Sequence, residues 1–307
     1  MAQPRPIYGF ILAAITAVLW GVLPLFLKIC LEMMDSMTIT AYRFLVAGVF
    51  IFGVLISQRQ LPDPRQLSKS TLALVLFASV MLVLNYTTNV IGLDYLNPET
   101  VQVIMQLAPF LLMLGGVLIF KERFTRFQTF GAGILLIGML LFFNERLETL
   151  SHSTTESPIG LFIIIFAATT WAIYALAQKS LFAFLNAKQL TLFMYTLGFL
   201  LLVPLTDFGA LLTLTPIHMG ALLFCCLNTI IAYGAFTEAM EVWSASKVSA
   251  VIATAPIFTY LSMVVAIQID PTRFVHSDMD EWAYVGAFLV ISGSIICSLG
   301  KKQPKIN

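Results

Sequence analysis

The chain has 307 residues, 59% of them apolar and only 11% charged, with a formal net charge of +1 and a mean hydropathy of +0.91. Soluble domains carry about a quarter charged residues, so this composition leaves too little polar surface to coat a water-soluble globule and calls for a bilayer around most of the chain. A near-neutral charge without a basic block excludes nucleic acid as a partner, and Cys30, Cys225, Cys226 and Cys297 lack metal-type spacing, so they read as packing residues and not as a disulfide framework or zinc site.

Ten apolar stretches follow one another, at 7–29, 37–57, 70–92, 98–120, 127–143, 159–184, 190–206, 216–240, 245–268 and 282–299. Each approaches the roughly 20 residues a helix needs to cross a hydrocarbon core. They are continuously apolar and not alternating, which predicts helices and not a barrel. The first stretch carries Trp20 near its middle, away from the interfacial belt where tryptophan usually sits. The second carries Arg43, about 9 Å below its outer end at helical rise. Three destinations are open to that cation: snorkelling to the outer headgroups, pairing with Glu99, or contact with a carboxylate substrate.

The third stretch presents a polar face of Asn85, Tyr86 and Asn89, and the fourth presents Glu99, Gln102 and Gln106 at spacings of three and four, leading to Pro109. Charge and amide at membrane depth are expensive and point to a water-filled, substrate-facing wall. Two blander assignments compete: Glu99 as a first-turn residue favoured by the helix dipole, and the glutamines as interhelical glue. Gly131, Gly133 and Gly138 in the fifth stretch favour close helix approach. In the sixth, Tyr174 and Gln178 continue the face of Trp171, a candidate pocket wall. Tyr233 in the eighth answers Tyr86. Pro256 in the ninth, like Pro109, breaks the backbone ladder and is a candidate hinge. The tenth repeats the glycine pair as Gly286 and Gly293.

The chain therefore contains itself twice. Trp20 and Lys28 recur as Trp171 and Lys179 at an offset of 151; Tyr86 and Pro109 recur as Tyr233 and Pro256 at 147; Gly131 and Gly138 recur as Gly286 and Gly293 at 155. Two units result, residues 1–150 and 151–307, each with five spans. An odd number per copy inverts the second relative to the first, the arrangement on which many secondary transporters build alternating access. Thirteen lysines and arginines fall on the side of both termini, against Lys28, Arg146 and Arg273 on the other, which predicts cytoplasmic termini in an inner membrane. No cleaved signal peptide is expected. Loops of little more than ten residues leave no room for a soluble catalytic domain, and no phosphate-binding glycine loop is present to supply ATP drive. His152, His218 and His276 fall in outer loops or at span ends and read as solvated. No catalytic or metal set and no cofactor is expected. The expected partners are a small-molecule substrate and the bilayer, for a chain acting as a monomer.

The run Ala108-Pro109 through Phe120-Lys121-Glu122-Arg123 to Gly131, Gly133 and Gly138, with Trp20-Gly21, Lys28 and Arg43-Phe44 before it, resembles the EamA repeat of the drug/metabolite transporter superfamily. The resemblance spans nearly the whole chain as two tandem repeats. It implies an all-α integral membrane protein of ten transmembrane helices, formed by two inverted five-helix repeats around a central cavity. Helices one, three and four and their partners six, eight and nine would line that cavity, and the cargo would be small metabolites, commonly exported amino acids. Other branches of the superfamily carry nucleotide sugars or phosphorylated metabolites, which would call for several buried cations. The first span lacks the embedded glutamate of small multidrug transporters, which argues against cation antiport by that route. A receptor or assembly subunit that transports nothing is the alternative from another class. The second copy departs from the pattern: Ala172 follows the tryptophan, no arginine answers Arg43, and no glutamate follows Pro256 at the spacing of Glu122.

Overall fold

The computed structural model describes residues 6–122, 125–152, 158–275 and 281–299. Ten long helices stand among them: α1 Pro6–Leu31, α2 Ser36–Ser57, α3 Lys69–Tyr95, α4 Pro98–Leu118, α5 Arg126–His152, α6 Pro158–Leu181, α7 Ala187–Leu205, α8 Pro216–Val242, α9 Ala245–Ile269 and α10 Glu281–Leu299. Among the described residues, α1 to α4 and α6 to α9 are each long and apolar enough to cross a membrane, and this is an all-α, multi-pass membrane protein. α5 runs on through the stretch 144–152 that the sequence assigns to a loop. His276, Asp278, Asp280, Glu156, Arg5, Arg123 and the C-terminal lysines lie outside the described residues, as do the side chains of His152, Arg146, Glu145, Glu148 and Cys297.

Local chemistry sets where helices begin. Asp35 caps α2 by accepting from Met37 N at 2.9 Å and Thr38 N at 3.0 Å, and Asn186 forms a reciprocal capping box with Gln189 on α7. Two helices are interrupted. α4 divides into Pro98–Ile104 and Leu107–Leu118, and α9 into Ala245–Ile252 and Ala255–Ile269. The breaks fall at nearly equivalent positions, three and four residues before Pro109 and two and three before Pro256, because each proline lacks an N–H for the carbonyl four residues back and its ring crowds that turn.

The packing obeys a pseudo-two-fold exchange of the copies. α1 packs on α8 and α9, while α6 packs on α3 and α4; α2 meets α7, α4 meets α9, and α5 meets α10. Direction can be read at the glycines. A Cβ on Gly138 would meet Gly286 O at 2.8 Å, and one on Gly293 would meet Gly131 O at 2.6 Å. The glycine pairs of α5 and α10 thus face each other in reverse order, so equivalent helices run antiparallel and the second copy is inverted. Small residues let the backbones approach where dispersion, not water, drives association. Gly133 faces open space and takes no part.

The recurrent lysine has a structural task. Lys28 Nζ donates to Leu93 O at 3.1 Å near the C-terminus of α3. Lys179 Nζ donates to Met240 O, and to Trp243 O at 2.7 Å, at the C-terminus of α8. Met240 stands 147 residues after Leu93, so these are one interaction formed twice: a cation satisfying the unpaired carbonyls at the negative end of a helix.

Candidate substrate site

A cavity opens at the pseudo-two-fold axis. Two repeat-related aromatic pairs touch their own counterparts there, Trp20 with Trp171 at 5.6 Å between centroids and Tyr86 with Tyr233 at 4.8 Å, which is possible only for residues close to the axis. The space, counted out to its open side and including open solvent there, measures about 590 Å³. Its walls are Trp20, Leu23 and Pro24 of α1, Arg43 of α2, Asn85, Tyr86 and Asn89 of α3, and Gln102, Met105, Gln106, Ala108 and Pro109 of α4. The second copy adds Trp171, Tyr233 and Ile252. Twelve of the fifteen lining residues belong to the first copy, so a symmetric frame encloses an asymmetric surface.

Most of the predicted site residues converge here, and Pro109 sits in the wall beside the break in α4. Glu99, Tyr174, Gln178 and Pro256 do not line the cavity. Glu99 is 3% exposed in the first turn of α4, close enough to Tyr260 of α9 to act on it electrostatically. Gln178 is fully buried, toward the face of the bundle where α1 begins. Tyr174 is buried against Phe236. Above them Trp20, Trp171, Tyr233 and Phe236 pack together, and this aromatic layer limits the cavity on that side.

Arg43 is only 2% exposed. It does not snorkel, and among the described residues no carboxylate lies within ion-pair distance of it, Glu99 included. Its Nε donates to Thr229 Oγ1 at 2.9 Å, and its guanidinium carbon stands 4.4 Å from the centre of the Tyr86 ring, a cation–π contact. An intramembrane cation costs about 2.5–3.5 kcal/mol on insertion scales. One charge-assisted hydrogen bond of about 1.5–3 kcal/mol and one ring face of about 2 kcal/mol offset that cost without supplying an opposite charge.

Thr229 opens a π-helical turn, Thr229–Tyr233, inside α8. The equivalent stretch of α3, residues 82–86, is ordinary α-helix. A π turn carries an extra residue and misaligns carbonyls; here Tyr195 Oη donates to Thr229 O at 3.1 Å and Thr16 Oγ1 donates to Ala232 O at 3.1 Å. The bulge thereby brings α1, α2 and α7 to one point on α8. Sequence reasoning missed Thr229, since a π turn leaves no hydrophobic-period signature. It also missed Pro24, whose place in the middle of an apolar span was a usable signal.

The amides divide their roles. Asn85 Nδ2 donates to Ala167 O at 2.9 Å, holding α3 to α6, and Gln106 Nε2 donates to Gln102 O at 3.1 Å, next to the break in α4. Three buried polar atoms of cavity-lining residues have no hydrogen-bond partner among the described residues, Trp20 Nε1, Arg43 Nη2 and Gln106 Oε1, while the Tyr86 hydroxyl lies against the hydroxyls of Tyr195 and Tyr233. Unsatisfied buried groups are rare in folded proteins and call for an explanation, a bound molecule being one; Gln178 and Asn228, away from the cavity, carry such atoms too.

The two copies are tied together by different chemistry at the two faces of the bundle. On the face where α1 begins, Glu122 accepts from Ala245 N at 3.1 Å, from Ser246 N at 3.2 Å and from the Ser246 hydroxyl. Its carboxylate thus caps α9 from the end of α4. On the opposite face Glu32 joins Arg273 Nε at 2.8 Å and His218 Nε2 at 3.0 Å, tying the loop after α1 to α8 and the segment after α9. His218 is 7% exposed, so its assignment as a solvated loop residue is corrected: Thr215 and Glu32 take up its two ring nitrogens.

A family model for the EamA-like transporter family matches residues 7–144 and 158–299. The chain belongs to the EamA-like transporter family. It is 35% identical to an uncharacterized transporter of Haemophilus influenzae over 98% of this chain and 97% of that one. It is 36% identical to the uncharacterized inner membrane transporter YhbE of Escherichia coli strain K12, over 96% and 92% respectively. A solved crystal structure superposes with a TM-score of 0.70, covering 95% of this chain and 98% of that chain, at 16% identity, a likeness of fold. Within this EamA-family fold, Glu122, one residue of the sequence motif, has a defined task as the cap that joins the halves at α9.

Proposed function

We propose that this EamA-family transporter is a secondary carrier that exports amino acids or amino-acid-like solutes from the cytoplasm, with both termini cytoplasmic, through the central cavity. The observation that carries the reading is a cavity at the pseudo-two-fold axis lined both by the polar side chains of Arg43, Asn85, Asn89, Gln102 and Gln106 and by the rings of Trp20, Tyr86, Trp171 and Tyr233. Amides satisfy polar groups of a small solute, and rings accept its apolar part. A site on the axis can be reached from either face when one half rocks against the other. The interrupted α4 and α9 supply pliable points beside the cavity, and the Glu122 cap and the Glu32 cluster are the contacts that must part in turn. Counterflow into proteoliposomes preloaded with unlabelled amino acids tests it. Accumulation of a ¹⁴C-labelled amino acid mixture that depends on the preload supports the reading, and equal signals with and without preload contradict it.

A further inference from the structure

Resting on the transport reading, we infer that Arg43 is the carboxylate receptor of the cavity, so that the transported solute carries a single carboxylate beside an apolar or aromatic body. The partnerless atoms on the wall give the polarity of the missing ligand. Trp20 Nε1 and Arg43 Nη2 can only donate, and the Tyr86 hydroxyl, which lies against the Tyr195 and Tyr233 hydroxyls, can turn its proton to a ligand. They belong to three helices of the first copy that meet at one cavity. Gln106 Oε1, on the fourth, can only accept. A carboxylate is an acceptor with two oxygens and about four lone-pair sites, and it satisfies such a set of donors; an ammonium or hydroxyl on the same solute satisfies the glutamine oxygen.

Charge points the same way. Arg43 brings a guanidinium cation, lies buried, and has no carboxylate of the chain within ion-pair distance among the described residues. A cationic solute would be repelled. A doubly charged phosphate would need a second cation, and Arg43 alone among the lining residues is charged. A monocarboxylate neutralises the site one to one.

Arg43 also joins the two copies, since its Nε is bonded to Thr229 in the π turn of α8 while its own helix belongs to the first copy. A carboxylate arriving at Nη2 therefore binds at a contact between the halves that transport must move. Tyr86 and Thr229 hold the guanidinium in the empty state, and the solute supplies the opposite charge they lack.

The test compares acids with their amides. Full-length protein in nanodiscs is titrated with L-amino acids, the corresponding amino acid amides, the corresponding amines, and inorganic phosphate, reading thermal stabilisation and the fluorescence of Trp20 and Trp171. The wild type is expected to favour at least one amino acid over its amide by about 30-fold or more, the cost of leaving a buried charge unpaired. Arg43→Gln is expected to abolish that preference, and Arg43→Lys, which keeps charge without the fork, to retain part of it. If Arg43→Gln does not fold, the acid-to-amide ratio of the wild type and of Arg43→Lys decides. Acids and amides binding within about threefold of each other, phosphate binding more tightly than any acid, or no acid binding at all overturns the inference. Counterflow separates the two failures: flux without any preference for acids over amides overturns the role of Arg43 while a carrier remains, whereas absence of all flux removes the transport reading and leaves the acid-to-amide binding ratio to decide whether Arg43 receives a carboxylate.

Discussion

The two copies share a frame and differ in what they show to the cavity. Lys28 on Leu93 and Lys179 on Met240, the breaks before Pro109 and Pro256, and the facing glycine pairs of α5 and α10 are each made twice. Arg43 is made once. Asn85 and Asn89 stand where the second copy has Ala232 and Phe236, and Gln102 and Gln106 stand where it has Ser249 and Ala253. In place of polar side chains the second copy contributes the π turn whose first residue receives Arg43. Features that build the inverted bundle thus occur in both halves, because the pseudo-axis needs both. Recognition needs only one wall of polar groups and a second wall that can move against it.

The equivalence of the frame breaks most severely at the α5–α10 contact. A Cβ on Gly293 would stand 2.5 Å from Leu135 N and 2.6 Å from Gly131 O, backbone that cannot turn aside, whereas one on Gly133 would meet nothing. Gly293→Leu is expected to cost about 3 kcal/mol or more and to abolish a monodisperse peak in size-exclusion chromatography, while Gly133→Leu elutes as the wild type does. The repeated lysine sharpens the comparison at intermediate magnitude. Lys28→Met and Lys179→Met each remove charged hydrogen bonds to helix-end carbonyls, worth about 1.5–3 kcal/mol; both are expected to lower the thermal midpoint by similar amounts, and a loss confined to one would show that the two caps are not equivalent.

The smallest effect lies at an unrepeated feature, the turn after α9. The Thr272 hydroxyl, with the Arg273 and Thr272 amides and the Arg273 charge, holds the Asp270 carboxyl below the usual carboxylate range against the opposing effect of desolvation. A depressed folded value means that the contribution is present above the ordinary value of about 4 and is lost as pH falls through the depressed one. The thermal midpoints of wild type and Asp270→Asn are therefore expected to differ slightly near neutrality and to converge below about pH 4. A difference that widens in acid would contradict the assignment.

The frame was legible in the sequence because it rests on features that repeat. Span count, inversion and the breaks at proline follow from apolar run length and from residues recurring at fixed offsets, and the Trp–Lys echo marks a real bond even though only the structure shows that Leu93 and Met240 receive it. The cavity was partly legible. Trp20, Asn89, Gln102 and Gln106 stand out as polar or large groups on apolar helices, and they do meet. Helical periodicity gives the face of a residue but not its depth relative to other helices, which is why Tyr174 and Gln178 share the face of Trp171 yet lie beyond the cavity. The partner of Arg43 could not be read at all. It is a threonine 186 residues away, placed by a π turn with no sequence signature.

The unequal walls make one measurement decisive. Gln102→Ser and Gln106→Ala together give α4 the residues that α9 carries at the equivalent positions, and amino acid counterflow in proteoliposomes is compared between this variant and the wild type at matched thermal stability. If the first copy reads the solute, counterflow falls by about tenfold or more, as expected for losing roughly 1.5 kcal/mol of hydrogen bonding, while Ser249→Ala in the second copy stays within about twofold of wild type. Wild-type counterflow from the folded double variant would contradict the account.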